Sequence, residues 1–309
     1  MTNKRKRQYR VRNWRDYNSA LVGRGSLTLR LDSRSLGAWL DADPPARRGR
    51  RRTYADAAIL CSLLLREVYH LPLRATEGLV CSALRLLGSG LPAPDYSTLS
   101  RRARLLRVSL APARAGKIAH LVIDSTGLKL YGEGEWRVRA HGWAKHRTRR
   151  KLHPAADAST RRVEAALVTA KEVVDPRGLP RLLKQIEAPV GRVYADGAYD
   201  ARGCYEAIHQ KGARAVIPPR KGSALWADEY LKDRNDNPRR VRERGAGAWK
   251  KRAKYHRRSL AETAVFRFKT IFSDKLKSGE GGRQTTEVLV RCAAMNRMTG
   301  LGMPQSYAV

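Results

Sequence analysis

The sequence predicts an α/β domain preceded by a small helical region, and three observations carry that reading. From His120 onward, short apolar runs and amphipathic segments follow one another in the order β-β-β-α-β-α-β, the alternation that builds a sheet flanked by helices. Between Tyr54 and about Leu87 the apolar residues recur instead at helical spacing. Two of the short strands end on an acid, Asp124 and Asp196, and the carboxyl ends of strands are where α/β sheets build their sites.

Composition bounds the partners. With 63 Lys+Arg against 28 Asp+Glu the formal net charge is +35. A folded domain with that surplus calls for a polyanion, and nucleic acid is the leading one. At 309 residues and 42% hydrophobic content the chain can bury a substantial core, which excludes a disordered basic tail. Cys61, Cys81, Cys204 and Cys292 are far apart and form no Cys-x-x-Cys pair, so neither a zinc site nor a disulfide framework is expected and a reducing cytoplasm fits. No apolar h-region follows the basic start, and the longest apolar run, Ala57 to Leu65, is too short to span a bilayer. Secretion and membrane insertion are therefore not expected.

Taken in order, Lys4 to Arg15 reads as a basic arm interrupted by Tyr9 and Trp14, and a second basic cluster runs from Arg47 to Arg52. Either could track phosphates or be a solvated tail. Ser26 to Leu31 alternates as a short strand, and Leu36 to Leu40 resembles a helical turn. Two helices follow, Ala55 to Tyr69 and Leu73 to Leu87, separated at Leu71-Pro72, with Cys61 and Cys81 among their apolar residues. After the Gly88-to-Pro92 breaker, Pro94-Asp95 opens a capped helix whose exposed side carries arginines, Arg101 and Arg102 among them. Three helices with a basic last one suggest a helix-turn-helix-like DNA reader.

The strand Leu121 to Ile123 stops on Asp124, although an Asp that caps a turn is the ordinary alternative. Lys129 to Lys151 is strongly basic and holds Trp136, Trp143, His141 and His146, which without acids or cysteines at ligand spacing suit phosphate or structural contacts. Strands near Lys151 to Ala158 and Arg162 to Ala170 are joined by a turn at Ser159-Thr160. Pro154 inside the first of these is tolerated mainly at an edge or a bulge. A helix over Pro176 to Ile186 leads to the strand Arg192 to Ala195 and Asp196, with Asp200 a competitor for its role. A helix from Ala201 to Lys211 and a strand from Ala213 to Ile217 complete the series; Arg220 to Lys254 reads as a polar, irregular insertion, and Gln284 to Met298 as an amphipathic helix.

Tyr255 to Lys269 reads as a helix with two unlike faces. At about 100° per residue, Leu260, Ala264, Phe268 and Ile271 fall in one arc and Arg258, Glu262 and Lys269 in the opposite one. Ser259 and Glu262 also have the spacing of a capping box, which needs no chemistry. Two strand-end aspartates and a helical glutamate in one α/β domain nevertheless match an arrangement that holds two divalent ions, since hard cations prefer oxygen ligands.

At this point the chain resembles a known family. Asp124, Asp196 and Glu262 look like the acidic triad of bacterial insertion-sequence DDE transposases, and Tyr255-x2-Arg258-x3-Glu262-x6-Lys269 fits their Tyr-Arg-Glu-Lys signature at every spacing. Further stretches are similar to the IS-five family and its Arg-Gly-Ser-Leu-Thr subgroup: Asn13 to Asn18, Arg24 to Thr28, His120 to Lys129, Ala195 to Asp200 and Ile217 to Gly222. The resemblance covers nearly the whole chain and favours Asp196 over Asp200 as the second acid. It implies an RNase H-like catalytic domain with an insertion before the Glu-bearing helix. It also implies binding of terminal inverted repeats, cleavage of the element ends, and joining of their 3′-hydroxyls to target DNA. Asp124, Asp196 and Glu262 would hold two Mg²⁺ or Mn²⁺ ions; Tyr255, Arg258 and Lys269 would hold DNA phosphates; and a homodimer or larger synaptic assembly on double-stranded DNA, in the cytoplasm with the nucleoid, would be expected. The competing readings are a nuclease of the same fold that cuts without joining and a non-catalytic DNA-binding protein. The expected division is 1–53 as basic arm and linker, 54–112 as the DNA-binding helices, 113–275 as the catalytic domain with its insertion at about 220–254, and 276–309 as a carboxyl-terminal helix.

Overall fold

The computed structural model describes residues 9–27, 31, 33–41, 53–110, 116–130, 149–220, 222–227 and 231–309. The chain forms two compact units, Met1–Leu99 with Ala294–Val309, and Ser100–Ala293. No helix among the described residues is long and apolar enough to cross a membrane.

The first unit joins both ends of the chain. Strand β1 (Tyr9–Val11) pairs antiparallel with Ser306–Ala308, and Asn13 closes the junction by donating to the Met303 carbonyl and accepting from the Gln305 N–H. The described part of the expected basic arm is thus a strand, followed by helix α1 (Trp14–Gly23). Of the strand expected over Ser26 to Leu31, residues 28–30 lie outside the described residues; the Ser26 and Leu31 N–H groups bond to the carbonyls of Gly23 and Leu27, as in turns rather than ladders. Helix α2 (Ser33–Gly37) forms slightly earlier than expected, and Leu40 instead makes a bridge to Tyr54.

Helices α3 (Asp56–Val68) and α4 (Leu73–Leu86) fall within a residue of the expected bounds. They bury Ala58, Cys61, Leu65, Val80, Ala83 and Leu84 around Trp39, whose indole N–H donates to the Pro92 carbonyl. Cys81 is exposed, contrary to expectation: it lies on the outer face of α4, whose inner face is occupied by Val80, Ala83 and Leu84. Helix α5 (Tyr96–Ala103) is capped as Pro94-Asp95 indicated, with Asp95 accepting from the N–H and hydroxyl groups of Ser97 and Thr98. Those four donors hold the Asp95 carboxyl far below its usual range. The Arg47–Arg52 cluster lies outside the described residues.

In the second unit β2 (Ile118–Ile123) and β3 (Thr126–Leu130) run against one neighbour, β4 (Arg149–Asp157), as a single ribbon broken at Asp124-Ser125. Sequence reading missed β3. Strand β5 (Val163–Ala170) pairs antiparallel with β4. After helix α6 (Gly178–Gln185), β6 (Val190–Tyr194) lies parallel to β2; after helix α7 (Arg202–Gln210), β7 (Arg214–Val216) lies parallel to β6. Gly191 permits the β2–β6 approach, because a Cβ there would stand 2.8 Å from the Ala119 carbonyl oxygen. Pro154 sits where proline costs least. Leu152 pairs with Thr126 and Ala155 with Ile123, which puts Pro154 opposite the broken Asp124-Ser125 step, and a bulge follows at Ala155/Ala156.

Alternation along the strands divides the core. Leu121, Ile123, Val193 and Ala195 pack against α6 and α7 on one face. Val122, Tyr194 and Val216 pack on the other with Trp249, Ala261 and Ala264. Trp249 belongs to helix α8 (Lys232–Arg252), and this overturns the expectation of an irregular insertion. The segment has too few apolar residues for a stripe and contains Pro238, and Gly245 breaks it at φ 79°. Buried polar anchors hold it instead: Trp249 donates to Asn237, and Arg234 pairs with Asp200. Helix α9 (Ser259–Phe272) then crosses β4, strand β8 (Lys275–Leu276) joins the free edge of β3, and helix α10 (Gly281–Leu301) is longer than expected at both ends. Residues 131–148, with Trp136, His141, Trp143 and His146, lie outside the described residues.

Candidate active site

Asp124 and Asp196 owe their proximity to sheet pairing. Val122 is opposite Tyr194 in the parallel β2–β6 ladder, so the same register carries the chain two residues further to Asp124 beside Asp196. Adjacent strands lie about 4.8 Å apart, which sets the scale of their separation. The Asp124 carboxylate accepts from the Ser125 N–H at 2.9 Å, and that of Asp196 from the Ala198 N–H at 2.9 Å, capping a 3₁₀ turn. Asp196 thus caps a turn, whereas Asp124 accepts from the neighbouring N–H at the break between β2 and β3 and caps none.

Glu262 does not form a capping box. Ser259 donates its hydroxyl to the His256 carbonyl, and the helix start is preceded by a 3₁₀ turn, Tyr255–Arg258, set by Lys254 in the left-handed region at φ 53°. The buried face of α9 is Ala261, Ala264, Phe268 and Phe272, rotated about one residue from the expected arc. Leu260 and Ile271 flank it half-buried.

Arg258 reaches both acids of its neighbourhood. Its Nη2 lies 2.5 Å from Glu262 Oε1 and its Nη1 3.5 Å from Asp124 Oδ2. That Nη1 is buried and makes no hydrogen bond, so the contact with Asp124 is an ion pair with donor capacity left over. Glu262, at 58% side-chain exposure, faces solvent, whereas Asp124 at 18% is largely enclosed. Burial pushes the Asp124 carboxyl up; the Ser125 N–H and Arg258 oppose this, and the charges of Asp196 and Glu262 add to it. Tyr255 is raised chiefly by burial and senses Arg258 together with all three acids. Lys269 is seven residues beyond Glu262, about 10 Å along the helix. There it helps Lys129, the main partner through a hydrogen bond, to hold Asp274 below its usual range. Arg101 and Arg102 end α5, exposed and half-buried respectively.

Asp200 has a different occupation. It is buried and accepts from the Tyr205 hydroxyl at 3.0 Å and the Arg220 N–H at 3.1 Å. It also pairs with Arg234 at 3.3 and 3.4 Å. Asp175 and Tyr199, both near Asp124, were given no role by sequence reading. Asp175 accepts from Ser125 Oγ at 2.8 Å and Lys151 Nζ at 3.0 Å. Burial alone would raise its carboxyl, but these two donors and the Lys151 charge hold it low. The Tyr199 hydroxyl is buried without a hydrogen-bond partner and is pushed up by burial, then by Asp175, Asp124 and Asp196. Only Asp175, ahead of Pro176, carried any sequence signal, and it is that of a helix start.

The donor chemistry suits a hard divalent cation: two strand-end carboxylates in register, a third tied to them through Arg258, and an orphaned hydroxyl close by. Among the described residues no three His, Cys, Asp or Glu side chains stand close enough to hold one as arranged, because Arg258 lies between Asp124 and Glu262.

Residues 115–297, more than half of the chain, match the family model described as Transposase DDE domain, and residues 22–133 match a second model of the same description. This chain belongs to the DDE transposase family. The match makes the sheet-centred second unit of this transposase an RNase H-like fold, in keeping with its mixed sheet flanked by helices. Among solved structures, the transposase is similar to a piggyBac transposase synaptic complex with hairpin DNA, studied by cryo-EM. That likeness has 10% identity and a TM-score of 0.38, over 94% of this chain and 76% of that one, and the family assignment does not depend on it.

Proposed function

We propose that this DDE transposase binds the terminal inverted repeats of an insertion sequence, cleaves the element ends and joins their 3′-hydroxyls to target DNA, as a member of the IS-five family. The observation that supports it most is geometric: within the family-matched segment the sheet register sets Asp124 beside Asp196, and Arg258 bridges Asp124 to Glu262. In this reading the three acids hold two Mg²⁺ or Mn²⁺ ions, which supply charge to activate the attacking oxygen and stabilise the leaving one.

The other roles belong to the protein's own groups. Arg258 carries a spare buried donor at the acids, so a phosphate oxygen arriving there gains a charge-assisted hydrogen bond. Tyr255 stands beside it, and Lys269 holds the same strand further along α9. Asp175, Lys151 and Ser125 fix the backbone after Asp124. The helices α3 to α5, with Arg101 and Arg102, supply end binding, and two copies assemble on the paired ends.

Purified protein incubated with Mg²⁺, labelled inverted-repeat DNA and a plasmid tests this directly. Joined products are expected. Cleavage without joining would make the protein a nuclease, and a mobility shift without cutting would make it a DNA-binding protein only.

A further inference from the structure

A cavity of about 460 Å³ opens between β6, β7 and the insertion helix α8, apart from the three acids. Arg192, Arg214, Arg240, Arg244 and Arg252 line it around Trp249. Among the described residues no Asp or Glu lines it, and the nearby Asp236 pairs with Arg240 at 3.0 Å. Five guanidinium groups around one space, Arg240 among them paired with Asp236, leave an excess of positive charge there that favours an anion.

The cavity is also placed for a strand that reaches the acids. Arg192 and Arg214 are register partners on neighbouring parallel strands, and Arg192 on β6 precedes Asp196, just past that strand's end, by four residues. At about 3.3 Å per residue that is roughly 13 Å, close to four nucleotide steps of about 3.4 Å. Arg192 alternates with Tyr194, on the sheet face that carries Trp249 and helix α9. Trp249, the cavity's aromatic wall, packs against Tyr255 of the candidate site with ring centroids 5.5 Å apart and planes tilted by 45°.

We propose that this arginine-lined cavity is a second phosphate site, filled by the backbone of the DNA strand whose reacting phosphate lies at Asp124, Asp196 and Glu262. This rests on the transposase reading above. The site takes phosphate by charge and bidentate hydrogen bonding, so it adds affinity without reading sequence.

The full-length protein, kept in EDTA so that metals play no part, is titrated with a labelled DNA duplex from about 50 to 200 mM salt. Arg240→Ala/Arg244→Ala, on the helix side of the cavity, is compared with Arg239→Ala/Lys251→Ala, which removes equal charge from the same helix outside it. The cavity variant is expected to bind about tenfold more weakly and to lose about 1 from the salt slope. The control should change less than twofold. Equal behaviour of the two variants overturns the cavity assignment; if both still cleave and join DNA in a parallel reaction supplied with Mg²⁺ instead of EDTA, the transposase reading stands without it. A wild-type protein that binds no DNA overturns both. A free-ion site is the outcome if inorganic phosphate raises the melting temperature of wild type but not of the cavity variant while their DNA affinities agree, and that overturns the strand assignment.

Discussion

Asp200→Ala should unfold this protein more readily than any substitution among the proposed catalytic acids. Asp200 and Arg234 each have 2% side-chain exposure, so the pair is removed from water together. Asp200 also satisfies the Tyr205 hydroxyl and the Arg220 N–H, and the Arg234 guanidinium lies 3.8 Å over the Trp226 ring. Deleting the carboxylate leaves a buried cation and two buried donors without their acceptor. Removing one member of a buried pair costs about 3–5 kcal/mol. For a unit the size of residues 100–293 this corresponds to a fall of roughly 6–20 °C in melting temperature. Asp200→Asn keeps one acceptor oxygen, enough for either Tyr205 or Arg220 but not both, and should lose less than Asp200→Ala. Asp196→Ala removes a carboxylate that accepts from one turn N–H, that of Ala198, and a cost of about 1 kcal/mol is expected. Thermal denaturation followed by circular dichroism on the three variants decides it. If Asp200→Ala melts within about 2 °C of wild type, less than 1 kcal/mol on the same scale, the account of Asp200 as a structural anchor is wrong.

Other expectations follow from the same geometry. Asp124→Ala, Asp196→Ala and Glu262→Ala should each abolish strand cleavage and joining while leaving duplex binding intact, since all three serve one centre; near wild-type joining by any of them removes that residue from the set. Arg258→Ala should slow the reaction at saturating DNA more than it weakens binding, and full turnover would refute its role. The same variant should melt lower, by an amount that depends on pH. With its folded value raised by burial, Asp124 needs Arg258 only when ionised, so the loss should be full above that value and shrink as pH falls through it. A pH-independent difference would contradict the ion pair. Gly191→Ala should destabilise by about 1–3 kcal/mol, because the new methyl meets backbone at Ala119 rather than a side chain that can rotate away; unchanged chemical denaturation would refute that contact.

Much was determined by the sequence alone because the signals are local. Helical spacing located α3 and α4 to within a residue, and the short apolar runs located β2, β4, β5, β6 and β7. The spacing Tyr255-x2-Arg258-x3-Glu262-x6-Lys269 needs no partner to be seen. Tertiary structure decided the rest, for a physical reason common to each case. Strand β3 and the strand at Ser306–Ala308 exist through pairing with segments far away in sequence, and α8 is held by Asp200 and by its own buried Asn237 rather than by an apolar stripe. Whether Ser259 and Glu262 form a capping box was a choice between two local bonds, and Asp124, a residue over a hundred positions earlier, settles it by sharing Arg258 with Glu262. Residue type alone leaves Asp196 and Asp200 in competition, and only the family resemblance favours Asp196. The sheet register sets Asp196 beside Asp124 and the buried guanidinium of Arg234 occupies Asp200, a difference in surroundings that no linear reading contains.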